Sequence, residues 1–125
     1  MEVKIVNIKA DKVYVNTTIG NFEGIWCSPF PQISKRYIVE LDSDDVIVPD
    51  NIKLSNISDP SIESTDQMVN VIGFVEEIQE KIMILRLQKS IIMLELSSIT
   101  DFTNYIGCYV LVKLSNIKMY DTGIY

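Results

Sequence analysis

Histidine is absent from the 125 residues of this chain, and cysteine, proline and glycine are scarce. Without histidine the chain lacks the commonest general base and the commonest metal-binding side chain. The two cysteines, Cys27 and Cys108, stand far apart in the sequence, with no C-x-x-C spacing, so they make neither a zinc site nor an activated nucleophile. No glycine-rich phosphate loop is present, and no carboxylate pairs with a plausible nucleophile. The sequence therefore predicts a protein that is not an enzyme and holds no metal or cofactor.

The N-terminal stretch MEVKIVNIKADK mixes acids and bases and contains no apolar core of a signal peptide. No apolar run approaches the roughly 20 residues that a membrane-spanning helix needs. These features predict a cytoplasmic protein without a membrane segment. In a reducing compartment both thiols should be free, as small buried hydrophobic side chains rather than a disulfide.

The chain is 47% hydrophobic, and its apolar residues are mainly isoleucine and valine, which favour strands. Short stretches of strand-like pattern recur along its length. In order they are VKIVNI, VYVNTTIG, FEGIWC, YIVELD, VIV, MVNVIGFVEEI, KIMILRLQ, IIMLEL, CYVLVKLS and IKMYD. The sequence thus predicts a mainly β protein.

The polar stretch SNISDPSIESTDQ separates two groups of strands and has no sustained periodicity. It predicts a first small β unit over 1–57, a polar linker over 58–67 and a second small β unit over 68–125. Each unit alone would bury little surface, so the two are expected to pack together.

One segment, SSITDFTNYIG, has helical features. Ser98 and Asp101 approximate a capping box, and Gly107 can end a helix. A short helix is therefore predicted near 98–106. In the first unit the proline-containing loop SPFPQISK takes its place.

The two groups of strands can be superimposed at a shift of about 70 residues. This alignment matches Val13 with Ile82 and Phe22 with Ile91, and with some slack in the connection it matches Tyr37 with Val110. It suggests two copies of one small unit. The pentapeptide KLSNI also occurs twice, but its copies are 60 residues apart and do not match under this alignment, so we interpret that identity as coincidence.

The second unit, mainly residues 69–121, resembles the oligonucleotide/oligosaccharide-binding (OB) fold. The resemblance lies in the order of VNVIGFVEEI, KIMILRL, IIMLEL, SSITDFTNYIG, YVLVKL and IKMYD, which is three strands, a helix and a final pair of strands. It implies a small β-barrel, and for the whole chain a tandem pair of barrels or related sandwiches. It also implies a ligand face on strands two and three, for which Tyr14, Phe22 and Trp26 are the aromatic candidates. Packing in the core is the alternative role for these three residues.

Acidic residues are concentrated in one part of the chain. The stretch 40–66 contains eight acids and one base, whereas the whole chain has a net charge of −6. Such a block either keeps a protein soluble or attracts a basic partner. In a strand–turn–strand from Tyr37 to Val48, the acids would project together from the tip and one face. The predicted partner-binding residues are Glu40, Asp42, Asp44, Asp45 and Asp50.

These observations favour a non-catalytic protein-binding module for a partner with a basic surface. Its sharpest form is an acidic inhibitor or immunity protein that neutralises a basic toxin. One alternative is an OB-type binder of nucleic acid or glycan, although a strongly acidic chain is a poor ligand for a polyanion. The other is a structural assembly subunit, which leaves homo-oligomerisation open. The sequence does not identify the partner.

Overall fold

The computed structural model describes residues 1–98 and 101–124, and these residues form strands almost throughout. The mainly β prediction is thereby confirmed. The strands are β1 Glu2–Lys9, β2 Lys12–Thr17, β3 Gly20–Trp26, β4 Arg36–Asp42, β5 Val46–Ile47, β6 Ile52–Leu54, β7 Ser61–Thr65, β8 Met68–Gln79, β9 Ile82–Leu87, β10 Ser90–Leu96, β11 Tyr109–Leu114 and β12 Lys118–Asp121. Two 3-10 turns, Pro49–Asn51 and Thr103–Tyr105, complete the regular structure of the described residues.

The first barrel is closed and consists of β1, β2, β3, β12 and β4, in that order. All its neighbouring strands are antiparallel except β3 and β12, which are parallel. Inward-facing side chains alternate with outward-facing ones along each strand, and the inner set is buried. This alternation is why the period-two sequence pattern located the strands correctly.

The second sheet runs in the order β5, β10, β9, β8, β11, β6, and β7 adds to it by pairing with β8. Its two outer strands, β5 and β6, are consecutive along the chain and are separated by Val48 and the 3-10 turn. The pairing again combines one parallel contact, between β10 and β5, with antiparallel ladders elsewhere.

The two halves exchange their last strands. The strand β12 follows β11 of the second half, yet it closes the first barrel between β3 and β4. Conversely, β5 and β6 follow β4 of the first half, yet they pair with β10 and β11. We call β1–β4 the first repeat and β8–β11 the second repeat. Each repeat therefore depends on a strand that the other half supplies, which ties the halves into one structure.

The two repeats have the same strand register. Ile5 lies opposite Val15 in the first repeat, and Val75 lies opposite Leu85 in the second, so both positions are displaced by 70. A β-bulge follows Ile5 and likewise follows Val75. In the fourth strand of each repeat, corresponding residues are 73 positions apart in the sequence. Val3 pairs with Tyr37 in the first repeat, and its counterpart Gly73 pairs with Val110 in the second. The two repeats are thus structural copies of one unit.

One part of the sequence alignment was wrong by one residue. The structure places Val13 in the position of Met83, not of Ile82, and Phe22 in the position of Ile92, not of Ile91. A shift of one residue in a strand exchanges its inner and outer faces, and Ile82 and Ile91 indeed point outward. The match of Tyr37 with Val110 is confirmed.

The predicted helix near 98–106 was wrong for the residues that the structure describes. The segment contains a single 3-10 turn, Thr103–Tyr105, and Ile99 lies outside the described residues. The side chain of Asp101 accepts hydrogen bonds from both the backbone N–H and the hydroxyl of Thr103. Such local bonds compete with helical backbone bonds and favour a turn.

The expected linker over 58–67 is not irregular throughout, because it contains β7. Ile62 of β7 is fully buried, and its N–H donates to the carbonyl of Ile19 in the first repeat. Since β7 pairs with β8 and contacts β3, it connects the two repeats. The division of the chain at this segment remains a prediction.

Candidate functional site

The predicted acidic hairpin from Tyr37 to Val48 was wrong. The strand β5 does not pair with β4; it crosses to the second sheet and runs parallel to β10. The residues between β4 and β5 therefore form a crossover between the repeats rather than a hairpin tip. As a result, the five acids predicted to act together occupy three different settings.

Two of the five acids anchor the crossover. Asp44 forms an ion pair with Lys118 at the start of β12, with Oδ2 and Nζ 2.6 Å apart. Asp45 accepts two hydrogen bonds from Ser115, one from its hydroxyl and one of 2.6 Å from its backbone N–H. Both contacts join the β4–β5 crossover to the β11–β12 connection, which is the other crossover. They therefore hold together the two segments that exchange strands.

We expect the substitution Asp45→Ala to lower the free energy of unfolding by about 1–3 kcal/mol, because it removes two charge-assisted hydrogen bonds between the crossovers. The control is Asp59→Ala, which removes an equal charge at an exposed position. Urea unfolding of both variants measures the difference. Equal stability of the two variants would show that the Asp45–Ser115 contact does not secure the crossovers.

Asp50 lies in the first residues after the crossover, within the 3-10 turn Pro49–Asn51. It lines a small surface pocket of about 180 Å³ together with Lys53 and Lys113. Asp50 is exposed, and none of the other four acids lines this pocket.

Glu40 and Asp42 lie on the outer face of β4 and line a surface groove of about 590 Å³. We call it the interrepeat groove, because β4 and β12 of the first barrel form one side and β10 of the second repeat forms the other. Its lining residues are Met1, Val39, Glu40, Leu41, Asp42, Ser90, Ile91, Met93 and Tyr120.

The interrepeat groove combines apolar and acidic surface. Met93 is 52% exposed and Tyr120 is 37% exposed. Tyr120 lies directly opposite Glu40 in the β12–β4 ladder. Solvent-exposed apolar side chains beside charges are typical of surfaces that bind other molecules. Sequence reasoning did not select Tyr120, because the exchange of β12 into the first barrel is what brings it beside Glu40.

Cys27 borders the same face, just beyond β3. Its backbone N–H donates to the Met119 carbonyl of β12, and its thiol raises the pKa of the neighbouring Tyr120 hydroxyl. Neither Cys27 nor Cys108 forms a disulfide, as predicted. The expectation that both are buried was wrong, since Cys27 is exposed.

The three aromatic candidates do not form a common surface. Phe22 is fully buried, and Trp26 is 7% exposed with its ring packed edge-on against Tyr37 at 4.8 Å. Tyr14 alone is exposed, on β2. Phe22 and Trp26 therefore belong to the core of the first barrel, the alternative that the sequence left open.

The described residues contain no group of three or more histidine, cysteine or carboxylate side chains that could hold a metal ion. Among the same residues, no helix has the length and apolarity to cross a membrane. No family model, no curated protein and no solved structure matches this chain.

Proposed function

We propose that this protein is a non-catalytic protein-binding module whose interrepeat groove engages a basic partner. The observation that carries the proposal is the combination of exposed Met93 and Tyr120 with Glu40 and Asp42 in one groove. Apolar side chains supply contact area, and the two carboxylates favour a cationic partner and speed its approach.

The charge around the groove supports a cationic partner. Lys118 is the base nearest to Asp42 in the strand ladder, and it is already paired with Asp44. Glu40 and Asp42 are both exposed, so their charges face solvent. The Met1 ammonium also lines the groove and offsets part of the Glu40 charge, which leaves the groove with a net negative charge. The whole chain carries a net charge of −6, which adds long-range attraction for a basic protein. Nucleic acid is disfavoured for the same reason.

The sharpest form of the proposal is a cytoplasmic acidic inhibitor that occupies a basic surface of a toxin. We also infer that the first barrel is OB-like. It is a closed barrel of five strands, of which β12 comes from the other half of the chain, and the OB fold is likewise a small five-stranded barrel. That likeness suggests no ligand by itself, because folds of this type serve many functions.

Neutralising the two groove carboxylates tests the proposal. A protein captured by the wild-type chain from native lysate is purified, and its association rate is measured as a function of salt. We expect the double variant Glu40→Gln, Asp42→Asn to slow association about three- to tenfold at low ionic strength, because long-range attraction is reduced.

The matched control is Asp59→Asn with Asp66→Asn, which removes the same net charge from exposed positions elsewhere. It should slow association by less than a factor of about two. Equal effects of the two double variants would mean that only net charge matters. A rate that neither substitution nor salt changes would overturn the proposal.

A further inference from the structure

The edge of β10 that faces the interrepeat groove is unpaired. Leu96 N–H donates to the carbonyl of Lys81, which lies just before β9. Because backbone orientation alternates along a strand, Leu94 and Ile92 also direct their N–H and C=O groups toward β9. Ile91 and Met93 have the opposite orientation, and their N–H and C=O groups point toward the groove. Within residues 1–98 and 101–124, only Glu95 and Leu96 of β10 form a ladder with another strand, β5, on this side. β10 also packs against β4, without a ladder between the two strands.

The corresponding edge in the first repeat is covered. There β12 pairs with Ile25 and Trp26, the counterparts of Glu95 and Leu96. The rest of the β3 edge lies against β7. Glu23 N–H donates to the Ser64 hydroxyl at 2.8 Å, and the backbone of Ile62 bonds that of Ile19. Glu23 is the counterpart of Met93, at the displacement of 70 residues.

The groove has part of the second boundary that β7 has in the first repeat. In the first repeat, β7 fills the space between β3 and the beginning of β8, which we call the β7 slot. There Ile62 pairs with Val71. The counterpart of Val71 is Met1, and Met1 lines the interrepeat groove. Of the β8 residues that pair with β7, only Val71 and Ile72 correspond to residues of this sequence, Met1 and Glu2. Both backbone groups of Met1 already bond Val39 of β4, so an added segment would be held mainly by β10.

The occupant should differ from β7 in charge. The positions in β11 that correspond to Glu40 and Asp42 are Lys113 and Ser115, at a displacement of 73 residues. At these two positions the interrepeat groove is thus acidic where the β7 slot is basic and neutral, while the Met1 ammonium adds one positive charge to the groove. A segment that enters the groove should carry lysine or arginine where β7 carries Glu63.

Building on the function proposed above, we propose that the interrepeat groove takes an extended, basic segment of a partner protein as an added β-strand. The backbone groups of Ile91 and Met93 would bond the segment, and Glu40 and Asp42 would select its charge. One apolar side chain of the segment would be buried in the groove, as Ile62 is buried in the β7 slot. A second copy of this chain is disfavoured by its net charge of −6.

The two sites also differ at the first residue of β3 and of β10. Gly20 has a φ of +139°, and a Cβ there would lie 2.1 Å from the Ile62 carbonyl oxygen. Its counterpart on β10 is Ser90, which carries a side chain. An added segment therefore contacts β10 from Ile91 onward and does not approach as closely at Ser90.

The probe is the synthetic peptide KSIKSTK, which keeps the apolar and hydroxyl residues of β7 but is basic. Binding is measured with the full chain by amide chemical shifts and hydrogen exchange. We expect protection of the Ile91 and Met93 amides on binding, with the acidic peptide ESIESTE binding about tenfold more weakly or not at all.

The substitution Met93→Pro removes the outward N–H while leaving the ladder to β9 intact, and proline is tolerated at such edge positions. It should weaken binding of KSIKSTK about tenfold, through loss of a backbone bond and steric exclusion. The control Met93→Ala removes the side chain but keeps the N–H, and should weaken binding less than about threefold.

The outcomes separate strand addition from the proposed function. If KSIKSTK binds with Glu40 and Asp42 involved, but without amide protection and equally well to the Met93→Pro variant, strand addition is overturned and the basic-partner proposal stands. If KSIKSTK fails while poly-lysine binds in a manner that requires Glu40 and Asp42, strand addition alone is again overturned. If neither probe binds at millimolar concentration, both proposals fail.

Discussion

A chain that ends at Asn116, and so lacks β12, is expected to lose cooperative unfolding. This truncation removes Ile117 and Met119, both fully buried in the structure. It also opens the first barrel between β3 and β4. Deleting one large buried side chain typically costs about 2–5 kcal/mol, and a whole domain is stable by only about 5–15 kcal/mol. The combined loss is therefore comparable to the entire stability of the protein.

Thermal unfolding followed by circular dichroism and by fluorescence of the single tryptophan, Trp26, measures this effect. The tryptophan is the useful reporter because it pairs with Met119 across the β3–β12 contact. The control is a chain that ends at Gly123, which removes exposed Ile124 and the final residue but keeps β12. If the chain without β12 melted as cooperatively as this control, β12 would not be the strand that completes the first barrel.

The second large effect is expected for Gly20→Ala. Gly20 has a left-handed backbone, and an added Cβ would lie 2.1 Å from the Ile62 carbonyl, far inside contact distance. The strand β7 must move away from β3, which disrupts the hydrogen bonds that connect the repeats. We expect a loss of about 3–5 kcal/mol, of which about 1 kcal/mol is the backbone penalty for alanine at positive φ.

The variant Gly107→Ala isolates that backbone penalty. Gly107 also has a positive φ, +82°, but a Cβ there would have no atom within 4 Å. Its substitution should cost only about 1 kcal/mol in the same chemical unfolding experiment. Similar losses for both variants would indicate that β7 does not lie tightly against β3, and the comparison of the two slots would lose its basis.

The sequence predicted the strands and the repetition well, because both leave a local signal. The period-two alternation in YIVELD indicates which side chains face the core, and the structure buries Tyr37, Val39 and Leu41 as that pattern requires. The alignment was still wrong by one residue in the second and third strands of each repeat. Nearly continuous apolar stretches such as KIMILRL do not by themselves distinguish inner from outer positions.

The exchange of strands could not be predicted from the sequence. Alternation shows which face of a strand is buried but not which strand is its neighbour, and β5 is only two residues long. The interrepeat groove depends on that exchange, since β12 supplies Tyr120 and the crossover redirects the acids. Glu40 and Asp42 are exposed as the strand pattern predicted, and their role in binding stays a prediction. Asp44 and Asp45 could not be recognised as structural anchors without their partners Lys118 and Ser115.

The two KLSNI copies illustrate the same limit. Leu54 and Ile57 of the first copy are 62% and 55% exposed, whereas Leu114 and Ile117 of the second copy are fully buried. The first copy begins in β6 and continues into the loop that follows it. The second copy begins at the end of β11 and continues to the residue before β12. Identical residues thus occupy opposite environments, because long-range pairing decides burial. The interpretation of the identity as coincidence agrees with this difference.

Native-state hydrogen exchange of the free protein tests most directly whether the edge of β10 is open. The amide of Met93 should exchange about 100-fold faster than that of Glu23, its counterpart, because Glu23 N–H is bonded to Ser64 while Met93 N–H faces the interrepeat groove. The amides of Ile92 and Leu94, which face β9, should be as protected as the rest of the sheet. Protection of Met93 equal to that of Glu23 would contradict the account, since the edge would already be covered and no segment could add to it.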